Sequence, residues 1–200
     1  MVRIHAYPLI KMTKFILHGG NTRIDNQDNK DFFVEFTKGF NVDKNINILL
    51  VYFAKDILKW KNLAKEDAKR IINLTKNKSI TFEIANEKDF ENQLKKADVV
   101  YFRGGDTYKL LEELKKISNL NLLFNNKTIV GSSAGVCVLF KYFYDNDYDK
   151  FDQGLGILNM KAFCHYDKSN KNKLRGLEEY KKDLKILVLP EFKYKVIHQN

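Results

Sequence analysis

Residues 128–136 read Thr-Ile-Val-Gly-Ser-Ser-Ala-Gly-Val, a short apolar run that stops at a group of tiny residues. The run predicts a buried strand, and the apolar residues 136–140 that follow it predict a helix. A strand, a sharp turn and a helix, with Gly-x-Ser-x-Gly at the turn, make up the nucleophile elbow of many hydrolases. Ser133 is the central serine of that pattern, which makes it the candidate nucleophile.

The residue types at this turn have a steric reason. A serine whose hydroxyl stands clear of the backbone adopts a strained conformation, and neighbouring side chains larger than a methyl group would collide there. The helix that begins at Ala134 would direct its free N–H groups at the point where an oxyanion forms. A small-residue turn without chemistry fits the five residues equally well, because a motif is a hypothesis until its context agrees.

On both sides of this turn, strand patterns alternate with helix patterns. Strands are predicted at residues 14–18, 46–53, 79–85, 98–102, 185–189 and 193–198. Helices are predicted at residues 26–38, 58–74, 87–96 and 108–117. This alternation predicts an α/β domain with a mostly parallel sheet. Functional loops of such sheets follow the carboxyl ends of the strands, and here those loops are residues 18–22, 103–107 and 131–135.

Length and composition are those of one soluble domain. In this chain of 200 residues, we expect residues 1–13 to be an N-terminal extension that need not be ordered and residues 14–200 to form a single domain. No stretch reaches the roughly 18 uninterrupted apolar residues of a membrane span, and residues 1–10 lack the apolar core of a signal peptide. Two cysteines without a disulfide framework favour a cytoplasmic location.

The net charge of +10 raises the question of nucleic-acid binding. The lysines, however, are spread along the chain among acidic residues and asparagines, and the one dense basic run covers residues 168–175. Dispersed lysines are typical of a solvated surface. We therefore expect neither a nucleic acid nor a membrane as partner. We expect the protein to be a monomer or a homodimer.

A nucleophilic serine needs a base, which an acid usually orients. The chain has four histidines, at positions 5, 18, 165 and 198. His165 is the best-placed candidate, because it follows an apolar segment and precedes two polar residues, although a lone histidine on a strand is often structural. His18 ends the first strand beside a Gly-Gly loop, where a packing role is the simpler interpretation.

Gly104 and Gly105 follow a predicted strand and have two interpretations. Their backbone N–H groups could face a ligand closely and supply half of an oxyanion hole, or they could form an ordinary β-to-α turn. No His, Cys, Asp or Glu cluster has the spacing of metal ligands, and residues 154–156 lack the third glycine of a dinucleotide site. We therefore predict no metal and no cofactor.

Six segments, in their order along the chain, resemble motifs of peptidase family S51, which includes dipeptidase E and cyanophycinase. The segments are residues 15–20, 101–107, 131–135, 154–158, 163–167 and 189–191. The resemblance implies a flavodoxin-like three-layer sandwich related to class I glutamine amidotransferases. It implies Ser133 as nucleophile, His165 as base, and the N–H groups of Gly105 and Ala134 as the oxyanion hole.

The same resemblance implies an acid between residues 134 and 164. Asn146-Asp147 resembles an Asn-Asp pair of dipeptidase E, which makes Asp147 the candidate and leaves Asp145 and Asp149 open. In two places the chain departs from the pattern: Arg103 stands where dipeptidase E has glycine, and Cys164 precedes the histidine where proline is usual.

The function that this resemblance implies is a serine peptidase acting through an acyl-enzyme on small peptides, in particular dipeptides with an N-terminal aspartate. Arg103, with Gly104 beside it, would bind the substrate, because a guanidinium can hold a carboxylate through two hydrogen bonds. Two alternatives stay open. The chain could be an inactive amidotransferase-like binding module, or an esterase or amidase that pairs Ser133 with His198.

Overall fold

Ten strands and seven helices lie within residues 12–75 and 79–199, the part of the chain that the computed structural model describes. The strands are β1 (Thr13–His18), β2 (Ile46–Val51), β3 (Ile80–Ile84), β4 (Val99–Phe102), β5 (Thr128–Ser132), β6 (Phe140–Asp145), β7 (Lys150–Gln153), β8 (Leu158–Cys164), β9 (Ile186–Leu189) and β10 (Tyr194–Gln199). The helices are α1 (Gln27–Val34), α2 (Trp60–Leu74), α3 (Phe90–Lys96), α4 (Thr107–Lys115), α5 (Leu120–Leu123), α6 (Ala134–Cys137) and α7 (Lys171–Glu179). β1 begins inside the predicted extension 1–13, of which residues 1–11 lie outside the described part.

The larger of the two sheets has six strands in the order β10-β1-β5-β4-β2-β3. Neighbouring strands are parallel, except that β10 runs antiparallel to β1 at one edge. β5, which leads into the Ser133 turn, lies between β1 and β4, and all of its residues are buried. The predicted α/β fold with a mostly parallel sheet is confirmed.

Helices cover both faces of this sheet. On one face, Phe32, Phe33 and Phe36, from α1 and the turn after it, are fully buried against the strands. On the opposite face, α3 and α4 contribute buried side chains such as Leu94 and Leu110. Each such side chain contributes about 2 kcal/mol through the apolar surface that it removes from water. The sheet is therefore held between two apolar layers.

The sequence patterns do not predict the second sheet, which has four strands in the order β7-β6-β8-β9. β6, β8 and β9 are parallel, and β7 pairs antiparallel with β6. The helix predicted over residues 136–140 ends at Cys137, and β6 begins at Phe140. A short apolar run is compatible with either element, and the aromatic residues of 140–144 favour a strand.

Loops that follow parallel strands of both sheets line one cavity. They are residues 20–23 after β1, Lys55 after β2, 103–105 after β4, 133–134 after β5, 146–147 after β6 and His165 after β8. This is the edge at which open α/β sheets bind their ligands. The two sheets therefore position one candidate site between them.

Candidate active site

Ser133 lies in the strained turn between β5 and α6, with φ 50° and ψ −113°. The glycines on either side allow this conformation. A Cβ atom at Gly131 would lie 2.6 Å from the carbonyl oxygen of Gly135, and one at Gly135 would collide with the carbonyl oxygen of Phe102. The turn therefore requires the tiny residues from which the sequence predicted it, and it projects the Ser133 hydroxyl into the cavity.

His165 lies beside this hydroxyl, with its Nε2 atom 2.8 Å from Ser133 Oγ. The backbone of His165 is also in a left-handed conformation, with φ 53°, and its N–H donates to the carbonyl oxygen of Gly19 at 3.1 Å. Any side chain on Gly20 would collide with the imidazole ring. The Gly-Gly loop after β1 thus supports the ring that faces Ser133.

The carboxylate against His165 belongs to Glu191, whose Oε1 lies 3.2 Å from Nδ1. β8 and β9 are parallel, and Cys164 pairs with Leu189, so the residues that follow the two strands are neighbours. Hydrogen bonds from Asn21 and then from His165 lower the pKa of Glu191, which favours its ionised form near neutral pH. An ionised Glu191 fixes the imidazole with its proton on Nδ1 and leaves Nε2 to accept from Ser133.

Asp147, the acid expected from the family resemblance, lies elsewhere. It is exposed at the rim of the cavity, and its backbone N–H donates to Asp145 Oδ1 at 2.9 Å. Asp149 accepts from Lys173. Among the described contacts, none of these three aspartates hydrogen-bonds to His165, because the turn after β6 closes on its own backbone and not on the ring.

Sequence reasoning missed Glu191 because its proximity to His165 depends on the pairing of β8 with β9. The signal that could have found it is positional. Glu191 follows a short apolar strand, residues 186–189, just as His165 follows another, residues 158–164. Two strands of this kind that lie side by side in a parallel sheet bring the residues after them together.

Two backbone donors face the cavity beside Ser133. Within the described part of the chain, the N–H groups of Gly105 and Ala134 have no hydrogen-bond acceptor. The N–H of Gly104, in contrast, donates to Ser132 Oγ at 3.0 Å. A Cβ atom at Gly104 would lie 2.9 Å from the Cβ of Ser133, so this loop needs glycine to approach the serine.

The neighbouring serine has a different environment. Ser132 is buried, and its hydroxyl contacts Tyr101 at 3.3 Å in addition to the N–H of Gly104. Ser132 therefore ties β4 to β5, whereas Ser133 presents its hydroxyl to His165. His198, the base of the esterase alternative, lies on β10 opposite Lys14.

Comparisons with known proteins identify the family and the fold. The model of Peptidase family S51 matches residues 15–194. The chain belongs to peptidase family S51.

Solved structures with the fold of this S51 protein include two that are similar to it over most of its length. A peptidase from an acI-B1 Actinobacterium has a TM-score of 0.64 and 18% identity, over 94% of this chain and 84% of that one. A candidate peptidase E from Listeria monocytogenes EGD-e has a TM-score of 0.61 and 17% identity, over 94% and 98% of the two chains. Among curated proteins, none matches this chain.

Arg103 lines the cavity of this S51 protein, but its guanidinium is already paired. Its Nη1 donates to Asp67 Oδ2 at 2.7 Å, and its Nη2 lies 3.8 Å from Glu66. Asp67 also accepts from the hydroxyl of Tyr52 at 2.8 Å. Arg103 is only 4% exposed, so binding a substrate carboxylate through two hydrogen bonds, as predicted, would compete with a buried ion pair.

His18 is the packing histidine that its position predicts. It is buried, its Nδ1 accepts from the N–H of Gly20 at 3.1 Å, and its Nε2 lies 2.9 Å from Asn29 Oδ1. Burial lowers the pKa of His18 to about 4, so the ring is neutral at pH 7. A neutral ring with its proton on Nε2 satisfies both bonds and holds the Gly-Gly loop under His165.

The two cysteines lie close to the serine. Cys137 and Cys164 are buried, and the Sγ of Cys164 lies 3.8 Å from the carbonyl oxygen of Ser133. The hydrogen bond between the two thiols, together with burial, raises the pKa of Cys137 well above its ordinary value. A protonated thiol is a poor nucleophile, which argues against Cys137 as the reactive group of this cavity.

No three His, Cys, Asp or Glu side chains within residues 12–75 and 79–199 are placed to hold a metal ion. None of the helices in the same part of the chain combines the length and apolar character needed to cross a bilayer.

Proposed function

We propose that this S51 protein is a serine peptidase that cleaves small peptides through an acyl-enzyme on Ser133, with His165 as base and Glu191 as the orienting acid. The observation that carries the proposal is the chain of contacts from Ser133 Oγ to His165 Nε2, at 2.8 Å, and from His165 Nδ1 to Glu191, at 3.2 Å. A serine hydroxyl becomes nucleophilic when a base so placed takes its proton.

The reaction follows from these positions. His165 Nε2 takes the Ser133 proton as Oγ attacks the peptide carbonyl, and the ionised Glu191 stabilises the imidazolium. The N–H groups of Gly105 and Ala134 donate to the oxyanion that forms on the carbonyl oxygen. His165 then gives its proton to the leaving amine. A water molecule, activated by the same imidazole, finally hydrolyses the acyl-enzyme and regenerates Ser133.

Glu191 takes the role that the family resemblance assigned to Asp147. Only Glu191 has a carboxylate oxygen within hydrogen-bond distance of His165 among the described residues. Asp147 and Asp145 line the cavity, where they are available to contact substrate and not to orient the base.

The substrate is proposed to be a short peptide, in particular a dipeptide with an N-terminal aspartate. The cavity measures about 360 Å³, a volume typical of sites for small ligands. The motifs shared with dipeptidase E support the aspartate. The cations on one wall of the cavity, Arg23, Lys55, Lys59 and Arg103, are consistent with an acidic substrate.

Labelling by a fluorophosphonate probe tests this function, because the probe reacts only with an activated serine. We expect wild type and Ser132→Ala to be labelled and Ser133→Ala to remain unlabelled. A wild-type protein without labelling would favour the inactive binding module, and labelling of Ser133→Ala would refute Ser133 as nucleophile. Hydrolysis of Asp-Leu in preference to Asn-Leu and Ala-Leu tests the proposed specificity.

A further inference from the structure

The cationic wall of the cavity is not uniform. Arg103 is held by Asp67 and Glu66, and Arg23 lies 3.8 Å from the same Glu66 carboxylate. These two guanidiniums therefore have protein carboxylates as partners. Lys55 and Lys59 differ, because no carboxylate among the described residues lies within ion-pair distance of either ammonium group. Of these two lysines, Lys59 is exposed and Lys55 is half-buried.

The backbone at Lys55 is firmly held. Its N–H donates to the carbonyl oxygen of Tyr52 at 2.7 Å, and its carbonyl oxygen accepts from the indole N–H of Trp60 at 3.1 Å. The preceding carbonyl, that of Ala54, accepts from the N–H of Asp106 at 3.0 Å. The loop after β2 is thus bonded to the loop after β4, which contains the proposed oxyanion glycine.

The side chain of Lys55 extends across that glycine. A Cβ atom added to Gly105 would lie 3.0 Å from Lys55 Cε, and Nζ is bonded directly to this carbon. The ammonium group therefore lies in the cavity next to the donor proposed for the scissile carbonyl. A substrate group bound there would be only a few atoms away from the bond that is cut.

The charge of Lys55 is incompletely compensated. Burial, and then the neighbouring Arg103, lower the pKa of this lysine, while the negative charge of Asp147 raises it. A half-buried ammonium without a hydrogen-bonded carboxylate is costly, and an anionic ligand would remove that cost. A charge-assisted hydrogen bond to a carboxylate is the strongest contact that this group can make.

We propose that Lys55, and not Arg103, binds a carboxylate of the peptide substrate beside Ser133 and so selects acidic peptides. This inference rests on the proposed peptidase function. A dipeptide with an N-terminal aspartate offers two carboxylates that Lys55 could bind, one on the aspartate side chain and one at the C-terminus. Both lie a few bonds from the scissile carbonyl, so binding experiments must separate them.

The test is calorimetric titration of unreactive Ser133→Ala protein, with and without Lys55→Met, by Asp-Leu, Ala-Leu, Asp-Leu amide and Ala-Leu amide. We expect Lys55→Met to raise the Kd of peptides that carry the bound carboxylate by about 10- to 100-fold. If the side chain is bound, Asp-Leu and Asp-Leu amide lose affinity and the alanine peptides do not. If the C-terminus is bound, both free dipeptides lose affinity and both amides do not.

Two control variants accompany this titration. Lys61→Met removes an exposed lysine outside the cavity and should leave every Kd unchanged. Lys55→Arg keeps the charge and should retain most of the affinity. Three results would overturn the inference. In the first, Lys55→Met leaves the Kd of all four peptides within twofold of the value for Ser133→Ala alone. In the second, it weakens the binding of all four peptides equally, and in the third, Asp-Leu does not bind to Ser133→Ala at all.

Failure of this inference and failure of the proposed function give different results. Labelling of the wild type by the fluorophosphonate probe reports on Ser133, His165 and Glu191, whereas the titrations of Ser133→Ala protein report on Lys55. Absence of labelling in the wild type would refute the serine mechanism, whereas the binding data with Ser133→Ala would still decide the role of Lys55.

Discussion

The two sheets hold the two halves of the candidate site in different ways. β5, which leads to Ser133, is buried along its whole length at the centre of the six-stranded sheet. β9, which leads to Glu191, is half-buried over its first three residues and forms an edge of the four-stranded sheet. The nucleophile is therefore fixed by the core. The acid, whose side chain is 41% exposed, depends on its hydrogen bonds with His165 and Asn21.

This contrast separates residues that stabilise the larger sheet from residues that stabilise the smaller one. Small, half-exposed units of a protein open at lower free energy than its central strands. Substitutions around β4 and β1 are expected to affect global stability. Substitutions around β8 are expected to loosen the sheet that carries His165 and Glu191.

The largest effect on stability is expected from Arg103→Met, at the end of β4. The change leaves Asp67 buried without its cation, and breaking a buried pair in this way costs about 3–5 kcal/mol. Urea unfolding of the variant should show this loss. Arg103→Met with Asp67→Asn should recover part of it, since no buried charge is then left unpaired. If Arg103→Met were as stable as the wild type but had a changed substrate preference, we would conclude that Arg103 binds the substrate.

The next effect concerns His18, which ends β1. Its pKa is lowered by burial from 6.5 to about 4, so the unfolded state takes up the proton first as the pH falls. The stability that neutral His18 provides is complete above pH 6.5 and is lost as the pH falls towards 4, by about 3 kcal/mol in total. The stability difference between wild type and His18→Gln should shrink by this amount between pH 7 and pH 4. A constant difference would mean that the pKa of His18 is the same in the folded and unfolded states.

A smaller effect, confined to the four-stranded sheet, is expected from Lys161→Met on β8. Lys161 is fully buried, and its ammonium donates to the carbonyl oxygens of Leu177 and Glu178, at 2.7 and 2.8 Å, at the end of α7. Losing both bonds leaves two carbonyls without a donor, which costs about 2 kcal/mol. Amide hydrogen exchange should accelerate in β8 and β9 more than in β5. The exposed Lys182→Met is the matched control, and equal acceleration in both sheets would show that they unfold as one unit.

The smallest expected effect is that of metal removal. The residue pattern has no metal-ligand spacing, and the proposed mechanism moves protons through His165 alone. Peptidase activity should therefore be the same with and without EDTA. Loss of activity that zinc restores would require a different mechanism.

The sequence predicted features that depend on consecutive residues, and it did not predict features that depend on contacts between distant segments. The Ser133 turn was predicted from five consecutive residues, because the steric demands on Gly131 and Gly135 act within that turn. The pairing of His165 with Glu191 depends on the neighbouring positions of β8 and β9, which no local pattern reveals. The ion pair of Arg103 likewise depends on a side chain 36 residues earlier, at Asp67 on α2.

Comparison of Glu191→Gln with Asp147→Asn tests the central claim most directly. The measurement is kcat/KM for a dipeptide that the wild type cleaves, with circular dichroism to verify folding. If Glu191 orients His165, Glu191→Gln should lose activity by about 10²- to 10⁴-fold, while Asp147→Asn should change it by less than about tenfold. The reverse pattern, a large loss in Asp147→Asn with near wild-type activity in Glu191→Gln, would contradict the assignment of Ser133, His165 and Glu191.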